Sequence, residues 1–156
     1  MKNIIAATCL AGAIALPGLA QAREVTLTTQ LKNYGGNEAS LAIYVTDASG
    51  QYQKTLWVAG KKAKYYKHLG DWARGSGLKP SEFDGVSGAS VGSGRTLKVS
   101  VELADTLIDA GYQIRIDSAV EDKRDARADV TVPLTSKGAG QPATGTVYVD
   151  TFRYDL

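Results

Sequence analysis

The residues of this sequence that most suggest chemistry stand in one run, Asp84-Gly85-Val86-Ser87-Gly88-Ala89-Ser90. Its functional groups are one carboxylate and two hydroxyls, and the small residues between them leave the backbone open to close approach. The run lies within residues 79–95, a stretch that is rich in glycine and poor in large apolar side chains. Long loops between strands more often carry function than simply connect elements. We therefore predict a long, exposed and flexible Gly/Ser-rich loop that carries the functional site.

The sequence lacks the residues that several other kinds of site require. The chain has one His and one Cys, whereas a disulfide framework or a structural zinc site needs at least two thiolates. Ser90 lacks the Gly-x-Ser-x-Gly context of a nucleophile elbow, and His68 alone does not define a Ser-His-Asp triad. The 18 basic and 16 acidic residues nearly cancel, which argues against a nucleic-acid partner. We assign no catalytic residue and no metal ligand.

The first 22 residues have the parts of an export signal. Lys2 is followed by an apolar run over residues 4–19 and by the small-x-small pattern Ala20-Gln21-Ala22. The apolar run is shorter than the roughly 20 residues of a membrane-spanning helix. We predict that residues 1–22 are a cleaved signal peptide and that residues 23–156 form a single periplasmic domain that is not embedded in the membrane. Because cleavage removes Cys9, a redox role would require a bound cofactor.

The mature chain is dominated by a period of two, which is typical of half-buried strands. The clearest alternation places Leu97, Val99, Val101 and Leu103 against polar neighbours. Seven strands are predicted, over residues 25–31, 41–46, 55–58, 97–103, 112–120, 127–134 and 144–154. Since no long helical crossovers separate them, we predict an all-β fold, an antiparallel β-sandwich that is immunoglobulin-like in outline.

One short helix is predicted over residues 64–74. Tyr65, Leu69 and Trp72 fall at i, i+4 and i+7 on one face of it. The Gly75-Ser76-Gly77 run that follows is typical of a helix end. We expect Tyr65 and Trp72 to pack in the core.

The run that ends at Ser90 fits the pattern Asp-x-x-Ser/Thr-Gly-Ala-Ser/Thr, and it resembles the recognition site of periplasmic FMN transferases. Flavin-carrying subunits of sodium-pumping NADH:quinone reductases have such a site. The resemblance implies that a transferase splits FAD and joins FMN through its phosphate to the hydroxyl of Ser90. It implies that the transferase recognises Asp84, Ser87, Gly88 and Ala89. These residue types suit that chemistry, since a phosphoester needs a hydroxyl and small neighbours allow entry into another enzyme's active site. The alternative is an unmodified Gly/Ser-rich turn.

A second resemblance extends over much of the mature chain. Its features are the Asp47-Ala48-Ser49-Gly50 turn after a strand, a strand that contains Trp57, a lysine-rich turn, an aromatic helix with Trp72, and the Ser-Gly-Ala-Ser loop. With these features the sequence resembles the predicted periplasmic proteins catalogued as domain of unknown function 2271. The usual association of that family with PepSY-type membrane proteins and FMN transferases implies an extracytoplasmic redox role.

Together the resemblances imply a periplasmic electron-transfer flavoprotein rather than a stand-alone enzyme. FMN on Ser90 would relay electrons between a membrane reductase and an extracytoplasmic acceptor. Aromatic faces suit an isoalloxazine ring, and we interpret Trp57 and Tyr66 as its contacts. A basic patch at residues 61–67 fits either the FMN phosphate, an acidic partner or a solvated turn. The alternative function is a secreted binding or assembly module that has no cofactor.

Overall fold

Two β-sheets packed face to face form the framework of residues 21–156, the part of the chain that the computed structural model describes. The strands are β1 (Ala22–Leu31), β2 (Ala39–Thr46), β3 (Tyr52–Ala59), β4 (Ser87–Gly88), β5 (Thr96–Ala104), β6 (Gln113–Val120), β7 (Ala126–Pro133), β8 (Ala143–Thr144) and β9 (Val149–Asp155). Sheet A has the order β5-β1-β9-β8, and sheet B has the order β4-β3-β2-β6-β7. The predicted all-β sandwich is confirmed. The predicted signal peptide, residues 1–22, lies outside the described residues except for its last two positions.

Apolar side chains from both sheets fill the space between them. Leu27 and Phe152 of sheet A and Ile43 and Ile116 of sheet B belong to one buried cluster. Each such side chain contributes about 1.5–3 kcal/mol by its removal from water. Along β5 the alternation between half-buried or buried and exposed residues follows the period of two in the sequence. The sequence pattern therefore predicted which residues of β5 face inward, whereas β2, which was also expected to be half-buried, is buried on both faces.

The last predicted strand, residues 144–154, is divided into β8 and β9 by a turn. The buried carboxylate of Asp129 holds this turn. It accepts hydrogen bonds from the backbone N–H groups of Thr146, Val147, Tyr148 and Val149 at 2.7–3.1 Å. Because these amides bind one carboxylate, the chain cannot stay extended through this segment.

A helical layer covers the outer face of sheet B. The predicted single helix is wrong in one respect: residues 63–68 form a 3₁₀ helix (Ala63–His68), and α1 (Gly70–Ser76) follows it. Trp72 is fully buried, as expected. Tyr65, which was also expected in the core, is 36% exposed. Tyr66 takes the buried position instead and is 5% exposed.

The break between the two helical segments has a local cause. Leu69 leaves the helical region, with φ −87° and ψ 73°. The buried Asp117 carboxylate accepts the N–H of Trp72 at 2.8 Å, which satisfies an amide that a continuous helix would bond internally. Gly70 lies against Arg127, and a Cβ at position 70 would stand 2.7 Å from the Arg127 Nε atom. The end of α1 is as predicted, because Gly77 follows it with a left-handed φ of 64°.

The Gly/Ser-rich stretch 79–95 is not the free loop that its composition predicted. It contains a 3₁₀ turn (Pro80–Glu82) and the strand β4, which pairs with β3 in parallel. Val58 N–H donates to the Val86 carbonyl at 2.9 Å, and Gly60 N–H donates to the Gly88 carbonyl at 2.8 Å. The stretch is therefore fixed along the edge of sheet B that β3 would otherwise leave unpaired.

Candidate functional site

One end of sheet B brings together the segments around the motif. β3, β4 and β6 end there and β2 and β7 begin there, because β2 runs antiparallel to β3 and β6 while β4 runs parallel to β3. A cleft of about 630 Å³ opens at this end. It is lined by Asn37, Glu38, Ser40, Lys61, Lys62, Tyr65, His68, Ser90 and residues 119–125. We call it the sheet-end cleft.

Ser90 lies in the wall of this cleft. Its side chain is half-buried, and its hydroxyl donates a short hydrogen bond to the Glu38 carboxylate. Lys61 Nζ lies 3.4 Å from the same carboxylate oxygen, Oε2. The hydrogen bond from Ser90, followed by the contacts with Lys61, lowers the pKa of Glu38 below its ordinary value. The hydroxyl is thus oriented by an ionised acceptor and is in reach of solvent.

The two residues that begin the Ser-Gly-Ala-Ser run are held by the sheet. Ser87 pairs with Val58 and Gly88 with Ala59. A Cβ on Gly88 would stand only 2.8 Å from Cζ2 of Trp57, so a larger residue would collide with the indole. Gly88 therefore has a structural reason to be glycine, besides the access for a second protein that the sequence suggested.

The proposed recognition residues surround this anchor point. Asp84, Ser87 and Ala89 are exposed, and Gly88 is partly exposed. The Asp84 N–H donates to the Pro80 carbonyl at 2.8 Å, which fixes the turn that leads into β4. The exposed side chains precede Ser90 on an ordered segment.

The aromatic residues assigned to a flavin occupy different places. Trp57 is half-buried and packs against the inner core, under Gly88. Tyr66 lies beneath the helical layer, where its ring meets those of Trp72 and Phe83 edge-on, with centroids 5.6 and 5.3 Å away. Its hydroxyl donates to the Gly60 carbonyl at 3.2 Å. Tyr65, one residue earlier, is the tyrosine of this segment that lines the sheet-end cleft.

A side-chain contact between His68 and Asp125 joins two sides of the cleft. His68 Nδ1, at the end of the 3₁₀ helix Ala63–His68, lies 3.1 Å from Asp125 Oδ2 in the turn between β6 and β7. Both side chains are exposed. The same turn supplies Lys123 and Arg124, so charges of both signs border the opening.

Three parts of this site were missed in the sequence: Glu38, Tyr65 and the turn at residues 121–125. Glu38 stands 52 positions from Ser90, and no local pattern connects them. The turn at residues 121–125 carries charges of both signs, and nothing in its own sequence relates it to the run that ends at Ser90. Tyr65 was placed on the wrong side of its helix because the segment was assigned an α-helical period.

The family of this chain follows from a comparison with family models. Residues 22–151 match the model described as "Predicted periplasmic protein (DUF2271)". The chain belongs to this family. Its resemblance to domain of unknown function 2271 and its periplasmic location are thereby confirmed. For this DUF2271 protein, no curated protein and no solved structure gave a match. The family description names neither a ligand nor a reaction.

Two further searches concern residues 21–156 of this DUF2271 protein. None of the helices in that range has the length and apolar character needed to cross a membrane. The same range holds no group of three or more His, Cys, Asp or Glu side chains that could bind a metal ion.

Proposed function

We propose that this DUF2271 protein is a periplasmic electron-transfer flavoprotein that carries FMN as a phosphoester on Ser90. A periplasmic FMN transferase attaches the group, and the protein relays electrons between a PepSY-type membrane reductase and an extracytoplasmic acceptor. The observation that carries the proposal is the position of the Ser90 hydroxyl, at the wall of a ligand-sized cleft and directly after the strand-anchored Ser87-Gly88 pair.

The attachment step is a phosphoryl transfer without a change of oxidation state. The Ser90 Oγ atom forms a bond to the FMN-side phosphorus of FAD, and the bond from that phosphorus to the bridging oxygen breaks. AMP leaves with the bridging oxygen, and the hydroxyl proton is released to solvent. Before the reaction, Glu38 accepts the hydroxyl hydrogen, which directs the lone pairs of Oγ away from the carboxylate. The exposed Asp84, Ser87 and Ala89 give the transferase side chains to recognise.

The residues present fit a tethered FMN. Lys61 and Lys62 line the cleft beside Ser90 and provide positive charge for a phosphodiester. Bound FMN supplies exchange between two-electron and one-electron chemistry, while the protein supplies position and environment. A covalent tether keeps the cofactor at high local concentration in a compartment where a dissociated group would be lost.

Intact mass tests the proposal. The protein is exported with and without a co-expressed FMN transferase, and we expect a gain equal to FMN less one water only with the transferase. Ser90→Ala abolishes the gain, and Ser90→Thr keeps it because the hydroxyl remains. Ser93→Ala is the matched control, since it removes a serine hydroxyl three positions beyond the motif.

Site mapping requires fragmentation of one peptide. Trypsin leaves residues 75–95 intact because Pro80 follows Lys79, and this peptide holds five serines. A gain that persists in Ser90→Ala, or no gain with a transferase that modifies a positive-control substrate, contradicts the proposal. The second result would favour the alternative, a binding or assembly module without a cofactor.

A further inference from the structure

We infer that the sheet-end cleft is the docking site of the isoalloxazine ring that Ser90 tethers. The identity of the ligand in this inference rests on the proposed function. The geometry of the cleft does not depend on that function. Nothing in the family description assigns a ligand to this cleft.

The cleft has the size and position that a tethered ring requires. Its volume of about 630 Å³ lies within the usual range of small-molecule sites, about 300–1,000 Å³. Ser90 is part of its lining, so a group attached to Oγ reaches the cleft without a change in the fold. The motif is fixed by β4, which limits how far the attachment point moves.

The cleft offers a planar apolar surface beside polar groups. Tyr65 lines the cleft and is 36% exposed, and Lys64 Nζ lies over its ring, 5.0 Å from the centroid. An aromatic face stacks favourably on another flat ring, with about 0.5–1.5 kcal/mol beyond area burial. Ala119 and Val120, at the end of β6, add apolar lining. Ser40 and Asn37 add hydrogen-bonding side chains for the polar edge of the ring.

The charges near Ser90 fit the phosphoester end of the ligand. After esterification, Ser90 has no hydrogen to donate to Glu38, and an anionic phosphodiester stands in its place. Lys61 Nζ lies 3.4 Å from Glu38 Oε2 in the unmodified protein, and its positive charge then offsets the repulsion between the Glu38 carboxylate and the phosphodiester. The ring lies further along the cleft, between Tyr65 and the turn at residues 121–125. The His68–Asp125 pair connects these two walls.

A titration with free FMN tests the cleft without the covalent bond. A short tether supplies an effective concentration in the millimolar range, so a ring that is mostly docked requires a free-ligand Kd of about 1 mM or tighter. We expect unmodified protein to bind FMN at that strength, with NMR shifts at the amides of residues 61–68 and 119–125. Ribose 5-phosphate, which has the phosphate without the ring, should not displace FMN. Binding clearly weaker than about 1 mM, or full displacement by ribose 5-phosphate, overturns the inference.

A pair of tyrosine variants identifies the ring contact. Tyr65→Leu should weaken FMN binding about tenfold, which is about 1.4 kcal/mol. Tyr112→Leu is the control: Tyr112 precedes β6 at the end opposite Val120, about 26 Å away at about 3.3 Å per residue. Equal affinities for the two variants overturn the assignment of the cleft.

The transferase-loaded protein separates the two proposals. A stacked tyrosine quenches flavin emission by electron transfer, so Tyr65→Leu should raise the emission while the mass gain stays the same. A mass gain with emission unaffected by Tyr65→Leu would overturn the cleft inference and leave the attachment proposal standing. FMN binding in the cleft without any mass gain would overturn the attachment proposal and leave the cleft as a flavin-binding site.

Discussion

Gly88 meets a structural requirement of the fold and, under the proposed function, a second requirement for access by the transferase. Its backbone continues β4 along the edge of β3, and its missing side chain leaves room for the Trp57 indole. From the sequence, the small size of this residue was attributed to access by a transferase. The contact with Trp57 could not be predicted, because the two residues meet only once β3 and the motif pair.

Substitution of Gly88 tests this contact. Gly88→Ala places a Cβ 2.8 Å from the Trp57 ring, and we expect a loss of about 1–3 kcal/mol in the free energy of unfolding, measured by urea denaturation. The displaced motif should also slow flavin attachment. Gly92→Ala is the matched control, since its Cβ would meet only the flexible Arg95 side chain, at 3.2 Å. Equal stabilities for the two variants would contradict the account of Gly88.

The helical layer shows how much of a single element could be predicted from the sequence. The α-helical spacing of Tyr65, Leu69 and Trp72 predicted one buried face. The structure buries Tyr66, Leu69 and Trp72, which are three apart, the period of a 3₁₀ helix. The two patterns share two residues, and the choice between them depends on Asp117 and on the outer face of sheet B. This difference of one residue decides which tyrosine enters the cleft.

Asp129 fixes the turn that divides β8 from β9. Its carboxylate also accepts a hydrogen bond from Ser118 Oγ at 2.6 Å. Asp129→Asn replaces an acceptor oxygen by an NH₂ group that faces backbone amides, so we expect a loss of about 3 kcal/mol or more in the free energy of unfolding. Asp150→Asn, at an exposed position of β9, is the control and should change stability little. Equal losses in the two variants would show that the turn does not depend on Asp129.

Asp129 also predicts a pH dependence. Burial acts to raise its pKa, but the hydrogen bonds from Ser118 and the turn amides outweigh burial and hold the pKa below its ordinary value. The contribution of ionised Asp129 to the free energy of unfolding is therefore present above its unfolded-state pKa, near 3.9. It is lost as the pH falls through the folded-state pKa. Unfolding free energies measured on the acid side should fall less steeply in Asp129→Asn than in the parent. An unchanged slope would contradict this cause.

Asp117 should change the stability with pH in the opposite direction to Asp129. Burial raises its pKa, and the hydrogen bonds from Ala128, Trp72 and Tyr44 offset only part of that increase. Its contribution is present below the unfolded pKa and is lost as pH rises through the raised folded value. The stability deficit of Asp117→Asn should therefore shrink as the pH rises above about 4, as urea denaturation would measure. A deficit that grows over this range would contradict the assignment.

At the scale of the whole molecule, the sandwich itself creates the site. Period-two alternation predicted the inward faces and the all-β class because sheet packing repeats a local rule along each strand. The cleft depends on strand order and direction, which bring Glu38, Lys61 and Ser90 to the same end of sheet B. Pairing between strands that are far apart in the sequence cannot be predicted from any short segment. The run that ends at Ser90 therefore suggested an attachment site in the sequence, whereas the cleft beside it could not be predicted.

The sheet-end cleft occupies one end of the sandwich, and this placement suits the carrier role that we propose. The loops that border the cleft are exposed, and Val120, at the end of β6, is the lining residue that also belongs to the core between the sheets. A group on Ser90 can therefore meet a transferase and redox partners without opening the fold. We accordingly expect the unmodified chain to fold in a host that lacks the transferase.

The most direct test of the central claim is the intact mass of the exported protein with an active FMN transferase, followed by fragmentation of the peptide 75–95. The account predicts a gain of one FMN less one water on Ser90, absent from Ser90→Ala and retained in Ser93→Ala. An unmodified chain, or a gain on another serine of that peptide, would contradict it.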